Sequence, residues 1–224
     1  MGKIDDFEQK LITHGITDED FIEYENLLKR VRGNFAKRQH CYTTAIQFPR
    51  QYAEQAVKLI QYGLETFEDG WFTTYTSYLH IGHIYEGIGK YQKAFDAYLL
   101  AKGALGDDHP EYMKELSKEL MWMKLHVDSF QYSAELEAYL THYEKASDFS
   151  KAFVNSEFKV AVANIVISMY YGRLDEAKQF HEKAKCICKP NYIGKLYDIL
   201  AGHKYYEARN VTPEALAFVK QLKL

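Results

Sequence analysis

Two histidines spaced three residues apart are the first side chains in this sequence that could do chemistry. His80 and His83 would share one face of a helix, and a helix can offer two imidazole nitrogens to one metal ion in this way. No carboxylate or cysteine stands beside them at the spacing of a zinc site, and the HExxH pattern is absent. We therefore expect one histidine of the pair to face a groove and the other to pack against a neighbouring helix, and we expect neither a metal nor a cofactor.

Other residues of reactive type also lack the pattern that catalysis needs. Cys186 and Cys188 do not form a CxxC motif, and on a helix their side chains would point about 200° apart. Cys41 shows no nucleophile-and-base pattern, and the segment Gly87 to Gly89 is too short for a phosphate-binding loop. The sequence contains no convincing active site, and we expect the chain not to be an enzyme.

The element that positions these residues is a pair of helices between Tyr78 and Ala101. Apolar and small residues recur at helical spacing on both sides of an interruption at Gly87 and Gly89. Small residues such as Gly82 and Ala94 fall where two helices must approach closely. This pattern predicts a helical hairpin.

The same stretch resembles a tetratricopeptide repeat. The shared pattern is aromatic-x2-Ile-Gly-x2-Tyr, then Gly-x-Tyr-x2-Ala-x3-Tyr-x2-Ala. A second unit repeats part of it from Gly172 to Pro190, although its first helix matches poorly, with Ala161 and Ile165 at the aromatic and glycine positions. One repeat implies others, because a lone hairpin cannot bury its own apolar face. Marker alanines follow at spacings of 38, 40, 43 and 38 residues, by subtraction between Ala56, Ala94, Ala134, Ala177 and Ala215.

The predicted architecture is all-α, a single domain over residues 1–224. We expect a right-handed α-solenoid of five to six antiparallel hairpins, with an N-terminal capping hairpin over 1–33, repeats over 34–190 and a C-terminal hairpin over 191–224. The linker from Leu105 to Pro110 resembles the connector of kinesin-light-chain-like repeats and predicts Asp108 as the cap of the next helix. All four prolines lie at or just before predicted helix starts.

Composition and charge limit the classes of partner and the compartment. The chain has 47% hydrophobic and 26% charged residues, which is ordinary globular composition. Its 28 Lys and Arg against 31 Asp and Glu give a net charge of −3, with both signs interspersed along the helices. Nucleic-acid binding needs a clustered basic face, so we expect none. The longest apolar run, Val160 to Tyr171, is too short for a membrane span, and no signal peptide is visible. Three cysteines without a framework favour a reducing compartment, and we predict a cytoplasmic protein.

The resemblance implies that the first helix of each hairpin lines a concave groove that holds a protein or peptide. Projection of the groove positions onto this sequence gives a mixed apolar and charged lining, which suits an extended or amphipathic peptide. The projected residues are Thr76, Leu79, His83, Glu86, Glu119, Met123, His126, Lys159, Val162, Val166, Tyr197 and Lys204. His83 and His126 at the groove centre would make binding sensitive to pH between about 5 and 8.

The function that this resemblance implies is a non-enzymatic protein- or peptide-binding scaffold or adaptor. An alternative is a peptide-sensing regulatory protein similar to the repeat half of bacterial pheromone receptors, although the first 33 residues are too short for the effector domain of that class. A second alternative is an enzyme with a histidine-containing site. The 19 tyrosines exceed what core packing needs and leave some for a binding surface. The sequence leaves the partner and the oligomeric state open.

Overall fold

The computed structural model describes residues 2–106, 108–145, 156–187 and 212–224, and these residues form eleven α-helices and no strand. This confirms the all-α prediction for the described residues. The helices are α1 (Lys3–His14), α2 (Asp18–Leu28), α3 (Asn34–Ala45), α4 (Ala53–Thr66), α5 (Trp71–Gly87), α6 (Tyr91–Leu105), α7 (Pro110–Val127), α8 (Ala134–Lys145), α9 (Ser156–Tyr170), α10 (Leu174–Ile187) and α11 (Pro213–Gln221).

Consecutive helices pack as pairs. The pairs are α1 with α2, α3 with α4, α5 with α6, α7 with α8, and α9 with α10. Each pair also contacts the next one, through α1 and α3, α4 and α5, α6 and α7, and α7 and α9. None of the described helices is both long enough and apolar enough to cross a membrane.

Two glycines shape the central pair, α5 and α6. Gly82 lies against the ring of Tyr98, so a Cβ atom at position 82 would stand 2.5 Å from Cδ1 of Tyr98. Only a residue without a side chain lets the two helices approach this closely. Gly89 has φ +75°, and its backbone N–H donates to the carbonyl of Glu86 at 3.0 Å, which ends α5 and turns the chain.

Local capping signals fix several helix ends. Thr17 accepts a hydrogen bond from the backbone N–H of Asp20, as expected for an N-cap, and Thr212 accepts one from Ala215 in the same way. Pro110 opens α7, but its N-cap position is His109 without a side-chain hydrogen bond. The prediction that Asp108 caps this helix is therefore wrong, because the helix begins at the proline itself and its N-cap is one residue later than expected.

The apolar interior consists of two clusters. The first cluster is formed by residues of the helices from α1 to α6, among them Leu11, Tyr24 and Ile60. The second is formed by residues of the helices from α5 to α11, among them Tyr98 and Trp122. Both clusters draw residues from α5 and α6, so the central pair joins the two halves of the described chain.

Candidate functional site

The predicted groove residues within the described part of the chain lie on α5, α7 and α9. These helices are the first members of three consecutive pairs, and α7 packs against α9. Three of these residues are charged: Glu86 is on α5, Glu119 is on α7 and Lys159 is on α9. The fold brings their side chains together.

A buried ion cluster forms where the three helices meet. The ammonium nitrogen of Lys159 lies 2.9 Å from Oε2 of Glu119 and 3.5 Å from Oε1 of Glu86. The side chains of Lys159 and Glu119 are each 1% exposed, and that of Glu86 is 4% exposed. Such a cluster holds helices in a fixed register, because separating its members would leave charges in a medium that solvates them poorly.

Neighbouring side chains complete the cluster. The hydroxyl of Tyr98 donates to Oε2 of Glu86 at 3.0 Å, so one carboxylate is held by α6 as well as by α9. Lys118 Nζ lies 3.3 Å from Oε1 of Glu119 at the edge of the interior. Glu86 and Glu119 therefore both contact the deeply buried ammonium group of Lys159, and Glu119 also contacts that of Lys118 near solvent.

Trp122 forms an aromatic wall beside the cluster. Its ring centre is 5.4 Å from Nζ of Lys159, within cation–π range. The ring also meets His126 and Phe158 edge-on, with centroids 4.8 Å and 6.1 Å apart. Among the described residues, the buried indole N–H of Trp122 and the buried hydroxyl of Tyr75 have no hydrogen-bond partner.

Burial is the common property of the predicted groove residues. Nine of the ten in the described part of the chain are buried, namely Leu79, His83, Glu86, Glu119, Met123, His126, Lys159, Val162 and Val166. Thr76 is half-buried, and its hydroxyl donates to the backbone carbonyl of Phe72 at 2.9 Å. Tyr197 and Lys204 lie outside the described residues. A partner could contact the nine only after the groups that cover them move.

The C-terminal helix α11 contributes to this burial. Thr212 Oγ1 lies 3.2 Å from Nε2 of His126, and the hydroxyl of Tyr91 donates to Glu214 at 3.0 Å. Phe218 stacks on Phe130 with ring centres 5.0 Å apart. These contacts reach back over more than one helix pair, from α11 to α6 and α7.

The surroundings of His126 change the predicted pH dependence. The pKa of His126 is lowered to about 4, chiefly by burial; the charge of Glu214 opposes this shift, and the charge of Lys159 contributes to it. The expectation that His126 changes its charge between pH 5 and 8 is therefore wrong, because the interior disfavours the imidazolium form.

No protein-family model, no curated protein and no solved structure matches this chain. The resemblance to tetratricopeptide repeats rests on the motif residues alone.

Sequence reasoning missed how closely the inward charges converge. It listed Lys159 and Glu86 as separate groove positions, whereas Lys159 contacts Glu86 across 73 residues of sequence. One signal was available in the sequence. Glu119 and Lys159 carry opposite charges and stand 40 residues apart, close to the repeat spacing, which indicates a contact between successive helix pairs. Trp122 gave another, since it stands near a repeat position where a small residue is expected.

Proposed function

We propose that the chain is a non-enzymatic scaffold or adaptor that binds a protein or peptide partner, and that its helix pairs form a right-handed solenoid similar to tetratricopeptide repeats. The packing of each described helix pair against its neighbours supports the solenoid arrangement. The burial of the projected groove residues argues that the inner faces of α5, α7 and α9 fix the relative positions of the pairs. Partner contacts then belong on an exposed surface.

An exposed aromatic surface at the turn between α9 and α10 is the observation that carries this proposal. We call it the tyrosine surface, formed by Tyr132, Met169, Tyr170, Tyr171 and Leu174. Tyr170 is 61% exposed, Tyr171 49% and Leu174 54%, although large apolar side chains are usually buried. Clustered exposed apolar side chains of this kind mark interaction sites.

The rings of the tyrosine surface are held in place before any partner binds. Tyr132 and Tyr170 stack with ring centres 3.7 Å apart and planes inclined by 8°. The hydroxyls of Tyr132 and Tyr171 donate to the same oxygen of Glu137, at 2.8 Å and 2.9 Å. Pre-ordered tyrosines provide contact area at low entropic cost, and aromatic residues and methionine are enriched at protein interfaces.

The proposal is tested by isolating a partner and measuring its affinity for matched variants. The full chain is immobilised, partners are captured from a native lysate, and the affinity of a purified partner is measured by calorimetry. Tyr170→Ala should weaken binding roughly 10- to 100-fold, as expected for a central interface residue. Phe35→Ala is the control, because Phe35 is 56% exposed but lies on α3.

The opposite results locate binding elsewhere. Equal affinities for wild type, Tyr170→Ala and Phe35→Ala would contradict a role for the tyrosine surface. A loss restricted to His83→Gln, with the folded content unchanged, would return the binding site to the inner face of α5.

A further inference from the structure

Three side chains of metal-ligating type meet where α1 packs against α3. Asp5 and Glu8 lie on α1, and His40 lies on α3. One possible ligand atom from each residue lies within 4.8 Å of the other two. The closest pair is Nδ1 of His40 and Oε1 of Glu8, at 2.9 Å. Glu8 and His40 are 32 residues apart in the sequence, which is why a search for local ligand spacing does not find them.

A hydrogen bond from the buried Tyr24 holds the carboxylate of Glu8 in this position. The hydroxyl of Tyr24 donates to Oε1 of Glu8 at 2.6 Å, and Tyr24 itself is fully buried. The same hydroxyl lies 3.4 Å from Oγ1 of Thr44 on α3. Ligating carboxylates in metal sites are commonly oriented by hydrogen bonds of this kind from residues behind them.

Solvent can still reach the cluster. The side chain of Glu8 is 12% exposed and that of His40 is 27% exposed. Asp5 uses Oδ2 to accept a hydrogen bond from the backbone N–H of Gly2 at 2.8 Å, which leaves its other oxygen for a further contact. An ion therefore has an entry path and three donor side chains on two helices.

We propose that Asp5, Glu8 and His40 bind a divalent transition-metal ion, and that Zn²⁺ fits this donor set best. One imidazole nitrogen and two carboxylate oxygens are typical zinc ligands, and water would occupy a fourth tetrahedral position. Bonds of about 2.0–2.1 Å place tetrahedral ligand atoms roughly 3.4 Å apart. The observed spacing, within 4.8 Å, becomes a coordination sphere after side-chain movements of about 1 Å.

Charge also favours the ion. Two carboxylates offset the double positive charge of Zn²⁺, while the neutral imidazole supplies a lone pair. The bound ion would join α1, in the first helix pair, to α3 in the second, and would therefore stabilise the N-terminal part of the fold. This site is separate from the tyrosine surface, so its existence does not depend on the proposed function.

The first experiment is a calorimetric titration of Zn²⁺ into the full chain after treatment with a chelator. We expect one site per chain that His40→Ala weakens on the order of 100-fold. Glu8→Gln, which preserves the shape of the side chain, should weaken it to a similar extent, so the result does not depend on how well His40→Ala folds. His14→Ala is the matched control, because His14 lies exposed on α1. Equal Zn²⁺ affinities for wild type, His40→Ala and Glu8→Gln would overturn the proposal.

A second variant separates a metal site from a simple ion pair. Tyr24→Phe removes only the hydroxyl that orients Glu8, and we expect it to lower Zn²⁺ affinity roughly 10- to 100-fold. Unchanged Zn²⁺ affinity in Tyr24→Phe would mean that Glu8 is not oriented as a ligand, and would contradict the proposed geometry.

Cobalt substitution identifies the type of ligand atom. The Co²⁺ form should show the visible bands of nitrogen and oxygen coordination without a thiolate charge-transfer band, because the site contains no cysteine. A thiolate band that disappears in Cys186→Ser would assign the metal to that cysteine and overturn the proposal.

Discussion

The ammonium of Lys159 and the carboxylate of Glu119 lie 2.9 Å apart in the interior, on α9 and α7, which belong to consecutive helix pairs. Both side chains are 1% exposed, so neither charge is solvated by bulk water. The pair therefore couples the positions of two helix pairs more strictly than apolar contacts would, since apolar contacts are non-directional.

Removing one member of this ion pair should destabilise the protein strongly. Lys159→Met keeps the length of the side chain but leaves Glu119 and Glu86 without its ammonium, which should cost about 3 to 5 kcal/mol of the free energy of unfolding. The measurement is urea denaturation at neutral pH. Lys58→Met, at an exposed position of α4, is the control and should change stability by less than about 0.5 kcal/mol.

A double variant tests whether the cost arises from uncompensated charge. Adding Glu119→Gln to Lys159→Met removes one of the carboxylates left behind, so the double variant should be more stable than Lys159→Met alone. Strictly additive losses would show that the two side chains do not interact.

Two glycine variants test the close contact between α5 and α6, and we expect them to change stability in opposite directions. Gly82→Ala would place a methyl group 2.7 Å from Cζ of Tyr98 and should cost about 1 to 3 kcal/mol or more. At Gly103 an added Cβ would meet no described side chain or distant backbone within 4 Å, so Gly103→Ala should instead stabilise α6 by about 0.5 to 1 kcal/mol through helix propensity. Thermal unfolding of both variants provides the test. Equal shifts of the melting temperature in the two variants would mean that α5 and α6 are not in the close contact described.

Local signals explain how much of the fold could be predicted. The hairpin predicted around Gly87 and Gly89 is present as α5 and α6, with the turn where the glycines stand. Thr17 and Thr212 are the N-caps of α2 and α11, and such caps are local signals because a cap bonds a backbone N–H only a few residues away. The prediction for Asp108 was wrong by one residue, because α7 begins at Pro110 and His109 therefore stands at its N-cap.

Long-range geometry explains why the candidate site could not be predicted in full. Projection from a repeat motif placed Glu86, Glu119 and Lys159 on the groove-facing sides of their helices. It did not give the distances between these side chains. Those distances depend on how closely consecutive helix pairs pack, which side-chain volumes such as that of Trp122 help to set. The contact between Glu8 and His40 could not be predicted for the same reason, because it depends on how α1 and α3 cross and not on sequence spacing.

Cysteine reactivity should follow burial. Cys41 is 1% exposed, and burial, with a contribution from the charge of Glu8, raises the pKa of its thiol to about 12. The reactive thiolate is therefore scarce at pH 8, whereas Cys186 is exposed. Iodoacetamide should modify Cys186 rapidly in the native protein and Cys41 only after denaturation, as read by peptide mass spectrometry. Equal native labelling rates would mean that the packing of α4 against α3 does not cover Cys41.

The buried imidazole of His126 should make stability depend on pH. Tyr91 stacks on it at 4.1 Å, Trp122 and Phe130 meet it edge-on, and its pKa falls from 6.5 to about 4 on folding because burial disfavours the charged form. The unfolded chain therefore binds more protons than the folded one between these pH values. Neutral His126 therefore contributes about 3 kcal/mol to the free energy of unfolding above about pH 6.5. This contribution is lost as the pH falls towards 4.

Two variants isolate this contribution from that of the carboxylates. His126→Gln can keep a hydrogen bond to Thr212 but cannot gain a proton, so its unfolding free energy should fall less steeply than that of wild type between pH 6.5 and 4. His14→Gln, at an exposed position, should leave the slope unchanged. The measurement is urea denaturation at several pH values across this window. Parallel curves for wild type and His126→Gln would show that His126 titrates alike in both states, and the packing of α11 over α7 would then be looser than the contacts of Thr212 and Glu214 indicate.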